Sequence, residues 1–172
     1  MFLAVLLASL SLHIYPSEID SLLRELDMSI RNRPQYTLKR QEQIDALQRK
    51  LRLSHSDQER YDLYRDLFGK YRSYRMDSAL WVANQRVELA KRMKNPLYIR
   101  SAELNIAEVM IGVAMYKEGL EILDGIKSAD LDASGVSYYY YQYHQVYTLM
   151  ADYAFSDQMK EHYRGLAYQY KD

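Results

Sequence analysis

The sequence predicts an all-α protein built from antiparallel helical hairpins that stack on one another. Three observations support this fold class. Apolar side chains recur at helical spacing over most of the 172-residue chain. Only three prolines and six glycines interrupt these segments. Helical segments alternate with short polar breaks, and the later segments repeat at a fixed interval, as they do in solenoid proteins.

The first segment, residues 1–16, is predicted to be a signal peptide. Its apolar stretch, residues 1–12, has the length of a signal-peptide core and is too short for a typical transmembrane helix. Ala8 and Ser11 are small residues near the end of this stretch, and Pro16 follows it, although no Lys or Arg precedes it. A signal peptide implies export, with the following region periplasmic or anchored outside the cytoplasm. The alternative is an apolar N-terminal helix that packs on the array.

Residues 17–56 are predicted to form an N-terminal helical hairpin. Ser17 is a suitable N-cap, and acidic residues follow it in the first turn, where the helix dipole favours them. Apolar side chains then recur at helical spacing as far as Ile30. Pro34 predicts a break, because proline lacks a backbone donor and clashes with the preceding turn. A second amphipathic helix is expected over residues 35–53.

The rest of the chain is predicted to form three further hairpins: 57–96, 97–135 and 136–172. Two sets of residues recur at a spacing of 40. Ala79, Gly119 and Met159 fall at the start of each second helix. Leu67, Ala107 and Tyr147 occupy equivalent places in the first helices. Such a period indicates a repeat array.

The second of these repeats carries a family resemblance. Ala107 takes the place of a small residue in the first helix, Tyr116 that of an aromatic residue at the turn, and Gly119 that of a small residue in the second helix. On these residues the chain resembles the tetratricopeptide (TPR) family over residues 57–172, which implies a right-handed solenoid. The family period is about 34 residues. The longer period here implies longer helices or loops.

With the leading hairpin and the predicted signal peptide, the chain is similar to the N-terminal sensor region of bacterial membrane-anchored TPR-containing transcriptional regulators. In that group the repeats lie outside the membrane and precede a transmembrane helix, a coiled coil and a DNA-binding segment. Because the last amphipathic helix still continues at Asp172, the chain is expected to be a fragment of a longer protein. The resemblance implies membrane contact only through a downstream segment.

Composition and motifs exclude several functional classes. The chain has 23 basic and 23 acidic residues, which argues against direct nucleic-acid binding by this region. It has no cysteine, so disulfides, thiolate zinc sites and cysteine nucleophiles are ruled out. No nucleophile elbow, phosphate-binding glycine loop, zinc-protease motif or EF-hand loop is present. The sequence therefore predicts no enzyme, no cofactor and no metal site.

A partner-binding face is predicted on the first helix of each hairpin, because these helices line the concave surface of a stacked array. Aromatic side chains with arginines are good anchors for a peptide or a partner helix. The alternative is that several of the tyrosines fill the seams between repeats. The candidate residues are Tyr61, Tyr64, Arg65, Phe68 and Arg72 in the first repeat, Asn105 and Glu108 in the second, and Tyr141, His144 and Gln145 in the third.

These observations predict a non-catalytic binding module with a protein or peptide partner. The resemblance implies the extracytoplasmic sensing or protein-interaction region of a bacterial signalling or transcription-regulatory protein. The alternative is a scaffold that mediates protein assembly or self-association through its repeats. A homo-oligomer is plausible on that alternative, because an uncapped last helix exposes a repeat face.

Overall fold

The computed structural model describes residues 15–171, and all regular secondary structure in that range is helical, which confirms the all-α prediction. The elements are α1 (Tyr15–Leu53), α2 (Asp57–Tyr71), α3 (Met76–Arg92), α4 (Pro96–Gly112), α5 (Tyr116–Asp124), a 3-10 turn (Ser128–Asp130), α6 (Ala133–Asp152) and α7 (Asp157–Tyr168). The chain divides into two compact units, Met1–Asp45 and Ala46–Asp172. Nearly all of the predicted signal peptide lies outside the described residues. No helix within the described range is both long and apolar enough to span a membrane.

The predicted N-terminal hairpin over residues 17–56 is wrong, because α1 is one helix of 39 residues that contains Pro34. Proline removes one backbone hydrogen bond, to the carbonyl of Ile30, and disfavours helical geometry in the preceding residue without forbidding it. Pro34 and its neighbours are exposed, so water can satisfy the freed carbonyl. The hydroxyl of Thr37 also donates to the carbonyl of Arg33 at 3.0 Å. The helix therefore tolerates the proline at a cost in stability.

The first unit presents an apolar stripe that is open to solvent. Its members share helical spacing along the first half of α1, and they have exposed fractions of 52–61%: Ile19, Leu22, Leu23, Leu26 and Ile30. The sequence predicted that this stripe would belong to the first helix of an antiparallel hairpin. Without the turn at Pro34, the second half of the hairpin does not fold back over it.

The second unit contains three antiparallel hairpins, formed by α2 with α3, α4 with α5, and α6 with α7. Each helix packs on the next along the chain, and α4 also contacts α6 directly. Side-chain N-caps fix the starts of four helices through acceptor distances of 2.7–3.3 Å to backbone N–H groups: Ser56, Asn95, Asp132 and Ser156. Such caps satisfy donors that a helix start otherwise leaves unpaired.

Two apolar clusters join the hairpins. The first lies where α2, α3 and α4 meet and includes Val87 and Ala102. The second joins α4, α5 and α6 and includes Leu104, Leu123 and Val146. The second cluster thus spans the seam between the second and third hairpins, as expected for an array in which each repeat contacts its neighbours.

Small residues at the repeated positions allow this close packing. Ala79 and Ala107 are fully buried. At Gly119, an added Cβ would lie 2.8 Å from Cγ1 of Ile111, so only glycine fits where α5 approaches α4. The small positions that the 40-residue spacing picked out are therefore positions of close helix contact.

Most tyrosines of α6 pack against neighbouring side chains of the array. Tyr143 is buried, its ring stacks on Tyr170 with centroids 4.7 Å apart, and its hydroxyl donates to Asp124 at 2.6 Å. Burial and the hydrogen bond to Asp124 raise the pKa of Tyr143. Tyr141 is the exception in this run, because 54% of it is exposed.

Candidate partner-binding face

The candidate face is formed by the first helices of the hairpins, α2, α4 and α6. The N-caps fix where each of these helices begins, α4 packs on α6, and the stacked rings of Tyr61 and Tyr98 join α2 to α4. The structure separates the ten predicted residues into three groups: those buried in the array, those at the surface or side of the array with local contacts, and those that surround one cavity.

Tyr61 and Phe68 are buried and therefore are not anchors on an open face, contrary to the prediction. The ring of Tyr61 stacks on Tyr98 with centroids 4.5 Å apart, and its hydroxyl donates to the carbonyl of Tyr98 at 2.8 Å. Burial raises the pKa of Tyr61. The seam-packing alternative that the sequence left open for the tyrosines is therefore the correct one for Tyr61.

Asn105 is also an internal residue. Its side-chain oxygen accepts a hydrogen bond from the guanidinium of Arg86, which is buried in α3. The guanidinium carbon of Arg86 lies 4.3 Å from the centroid of the Tyr61 ring. Burial lowers the pKa of Arg86. Asn105 was predicted to contact a partner, but it instead satisfies a buried cation.

Tyr64 and Arg65 lie at the surface of α2 and are engaged locally. Tyr64 is half-buried, with its ring edge-to-face against Trp81 at 5.8 Å. Arg65 is exposed and pairs with Asp62 at 3.1 Å on the same helix. Neither side chain lines the cavity described next.

Arg72, Glu108 and Tyr138 form a chain of contacts through all three hairpins. Arg72 pairs with one carboxylate oxygen of Glu108 at 2.9 Å, and the hydroxyl of Tyr138 donates to the other. The charge of Glu108 raises the pKa of Arg72. Burial, followed by the charge of Glu108, strongly raises the pKa of Tyr138. The network is therefore neutral overall, with its carboxylate and guanidinium paired and its phenol protonated.

Four of the predicted residues surround a cavity of about 150 Å³ between these helices: Arg72, Glu108, Tyr141 and Gln145. Met76, Val109 and Leu149 supply apolar walls, and the buried amide of Gln142 completes the lining. The C-terminal end of α2, the start of α3, and the helices α4 and α6 thus meet at one recess, so all three hairpins contribute to it.

A family model described as the SusR N-terminal TPR domain matches residues 30–172. The chain belongs to this family. Neither the curated proteins nor the solved structures contain a match. TPR domains are in general non-catalytic modules for protein–protein interaction. The match extends the resemblance seen in the sequence from residue 57 back into α1.

His144 lies away from the cavity in this TPR domain. Its Nδ1 is 2.9 Å from the carbonyl of Ala167, so the third hairpin uses it to join α6 to α7. A carbonyl only accepts, so Nδ1 carries the proton in this contact. Within residues 15–171, no group of three His, Asp or Glu side chains could hold a metal ion.

Several residues that line this cavity were not predicted from the sequence, among them Gln142 and Leu149. Leu149 lies 40 residues after Val109, so the repeat spacing could have identified it. A separate cavity of about 410 Å³ was not predicted either; Leu51, Tyr71 and the half-exposed Trp81 are among the residues that line it. Trp81 is the one tryptophan of the chain and does not recur between repeats, so the repeat spacing could not predict this second cavity.

Proposed function

We propose that this TPR domain is the non-catalytic sensing and protein-interaction region of a bacterial signalling or transcription-regulatory protein, located outside the cytoplasm. It binds a peptide segment of a partner protein on the surface formed by α2, α4 and α6. The observation that supports the proposal is the convergence of Arg72, Glu108, Tyr141 and Gln145 on one cavity. Membership of a TPR family supports an interaction role for that surface.

The side chains at this surface suit a peptide. Tyr141 presents a rigid ring with 54% of its surface exposed, which favours an apolar contact at low entropic cost. Gln145 is half-buried at the cavity wall, and its amide can both donate to and accept from the main chain of an extended segment. Arg72 and Glu108 neutralise one another at 2.9 Å, so the surface favours uncharged contacts.

The test is a selection of peptides from a displayed random library against the 172-residue chain, followed by affinity measurement with fluorescence anisotropy. Tyr141→Ala and Gln145→Ala are expected to weaken a selected peptide at least tenfold, or about 1.4 kcal/mol each. Tyr153→Ala and Gln158→Ala are matched controls, because both side chains are exposed elsewhere on the third hairpin. Equal losses from both pairs would show that the peptides bind another surface.

The location outside the cytoplasm rests on the apolar segment at residues 1–16. A fusion of this segment to alkaline phosphatase, which becomes active only after export, tests it. Activity equal to that of a fusion with a known signal peptide supports the proposal. An inactive fusion beside an active reference would place the domain in the cytoplasm.

Self-association is a second candidate function, favoured by the exposed apolar stripe of α1. Ile19, Leu23, Leu26 and Ile30 alternate at the spacing of a coiled-coil seam, and each is more than half exposed. Sedimentation is expected to show a dimer for the wild type and a monomer for Leu23→Lys combined with Leu26→Lys. Glu25→Lys, on the exposed surface of the same helix, is the control that leaves the dimer intact. A monomeric wild type at tens of micromolar rules this candidate out.

A further inference from the structure

The separate cavity of about 410 Å³ is an open groove on the second unit, where the last two turns of α1 meet α2 and α3. Leu67, Tyr71 and Val82 are buried beneath it, and Leu51 is partly buried at its side. Trp81 lines the same groove and is 55% exposed, although tryptophan is usually well buried. A half-exposed indole beside an apolar recess is typical of surfaces that bind other proteins. This surface is called the Trp81 groove below.

The α1 side of the Trp81 groove is cationic. Arg52 lines the groove and Arg49 lies one turn before it on the same helix, and both are exposed. Residues 46–56 hold three Lys or Arg residues and no acidic residue. Neither Arg49 nor Arg52 takes part in an ion pair in the described part of the chain. On the α3 side, Asp77 accepts from the backbone N–H of Ser78 at 2.8 Å. The α1 side therefore favours a ligand with acidic residues.

The exposed apolar stripe of α1 has the complementary charge. Glu18 and Glu25 border the stripe on one side, and Asp20 and Asp27 border it on the other, because residues seven apart share a helix face. All four carboxylates are exposed, and none forms an ion pair within the described residues. Residues 18–30 hold these four acids and a single basic residue. The stripe is thus an apolar helix face with acidic borders.

An apolar helix face fits an apolar groove, and the charges along its borders select among grooves. The stripe leaves five aliphatic side chains more than half exposed, and burying them against Trp81 and Leu51 removes apolar surface of both partners from water. Exposed ion pairs contribute little affinity, but opposite charge on two surfaces speeds their association and disfavours wrong partners. Burial therefore supplies the affinity, and the charges supply the specificity.

We propose that the Trp81 groove binds the apolar stripe of α1 from a second copy of this chain. Each copy carries one stripe and one groove, so two copies that exchange stripes use both surfaces and close as a dimer. The inference rests on self-association, the second candidate function, and names the surface that the stripe contacts. It replaces a seam between two stripes with a contact between a stripe and a groove.

The test uses two variants of the 172-residue chain, each checked for helix content by circular dichroism. Trp81→Glu removes the indole and adds a carboxylate that faces the acidic stripe. It is expected to weaken each of the two contacts about tenfold and the dimer about a hundredfold in sedimentation. Leu23→Lys combined with Leu26→Lys disables the stripe and retains the groove. Tyr153→Glu, an exposed aromatic position on the third hairpin, is the matched control that leaves the dimer unchanged.

Mixing the two variants restores one contact, between the intact stripe of Trp81→Glu and the intact groove of the Leu23→Lys, Leu26→Lys chain. Sedimentation of labelled Trp81→Glu with increasing amounts of the unlabelled stripe variant is expected to show a heterodimer. Neither variant alone is expected to form a dimer at the same concentrations. A mixture that stays monomeric up to hundreds of micromolar would overturn the proposal, because a stripe and a groove that fit one another are both present.

A second variant covers the case in which Trp81→Glu fails to fold. Ser78→Glu adds a carboxylate to the groove and retains Trp81, and an acid in the first turn of α3 suits the helix dipole. It is expected to weaken the dimer about tenfold at each contact. If the groove variants dimerise as tightly as the wild type, or if Tyr153→Glu weakens the dimer equally, the groove assignment fails and self-association survives. A monomeric wild type overturns both.

Discussion

Replacing Asn105 with alanine removes the side-chain acceptor of a guanidinium that lies inside the array. Arg86 is 2% exposed, its Nη1 donates to Asn105, and its Nε has no partner among the described residues. None of the ion pairs in residues 15–171 includes Arg86, so its remaining support is the face of the Tyr61 ring at 4.3 Å. The alanine variant therefore leaves a buried cation with one weak contact.

The expected loss follows from these contacts. A hydrogen bond to a charged group contributes about 1.5–3 kcal/mol, and a buried charged donor left without a partner adds a further penalty. We expect Asn105→Ala to lower the free energy of unfolding by about 3 kcal/mol. For a chain of this length, that corresponds to roughly 6–12 °C in the midpoint of thermal unfolding. Urea unfolding followed by circular dichroism of the helices measures it.

A double-mutant cycle separates the charge from the packing. Arg86→Met removes the cation, so adding Asn105→Ala to it should cost about 1.5–3 kcal/mol less than in the wild type. Asn84→Ala is the control, because Asn84 is exposed on α3 and should change stability by less than about 0.5 kcal/mol. Additive losses in the cycle, or a loss below about 1 kcal/mol for Asn105→Ala alone, would refute the reasoning.

Three further predictions follow from local geometry. Pro34→Ala restores a backbone donor in the exposed helix α1 and should stabilise that helix by about 3 kcal/mol. Amide hydrogen exchange of the residues around position 34 should become slower, and unchanged exchange would contradict the prediction. In urea unfolding, Gly119→Ala should destabilise the protein by about 1–3 kcal/mol, because the added Cβ meets Ile111. Gly69→Ala, with no neighbour within 4 Å of the added Cβ, should stabilise it by about 0.5–1 kcal/mol, and a change of the same sign in both variants would be inconsistent with the packing. Hydrogen bonds from the backbone N–H of Gly135 and the hydroxyl of Ser134 lower the pKa of the N-cap Asp132, so its contribution to folding stability is complete above the unfolded pKa of about 4 and disappears as pH falls through the lower folded pKa. Asp132→Asn keeps the cap and should make the free energy of unfolding less dependent on pH between about 5 and 2.

The sequence was sufficient to predict the repeats because small residues recur where helices touch. Ala79 and Gly119 lie 40 residues apart, Ala107 lies 40 residues after Leu67, and the structure buries all four. Small residues are needed at these positions because the helix axes are close together there, and the spacing of apolar and small residues in the sequence indicates such positions. Pro34 shows the limit of a local rule, because the loss of one hydrogen bond does not stop a helix whose freed carbonyl can reach water.

The candidate site was less predictable. The helical register placed Tyr61 and Asn105 on the partner-binding face, and it did not indicate that Arg86 from α3 would contact both of them inside the array. A buried arginine has no periodic signature, since charged residues are expected at the surface. The hydrogen bond from Nε2 of Gln142 to the carbonyl of Leu104 joins residues 38 apart in the sequence, and no pattern in the chain reveals it.

The recess between the first helices depends on the array as a whole. Arg72 and Met76 come from the first hairpin, Glu108 and Val109 from the second, and Gln142 from the third. In a repeat protein each hairpin contacts mainly its neighbours, so the distances among these side chains are set by the angles between successive hairpins. A small change in either angle would alter the cavity more than it would alter any single helix. The network from Arg72 through Glu108 to Tyr138 opposes such a change, because it joins the three hairpins with paired polar groups beside the cavity.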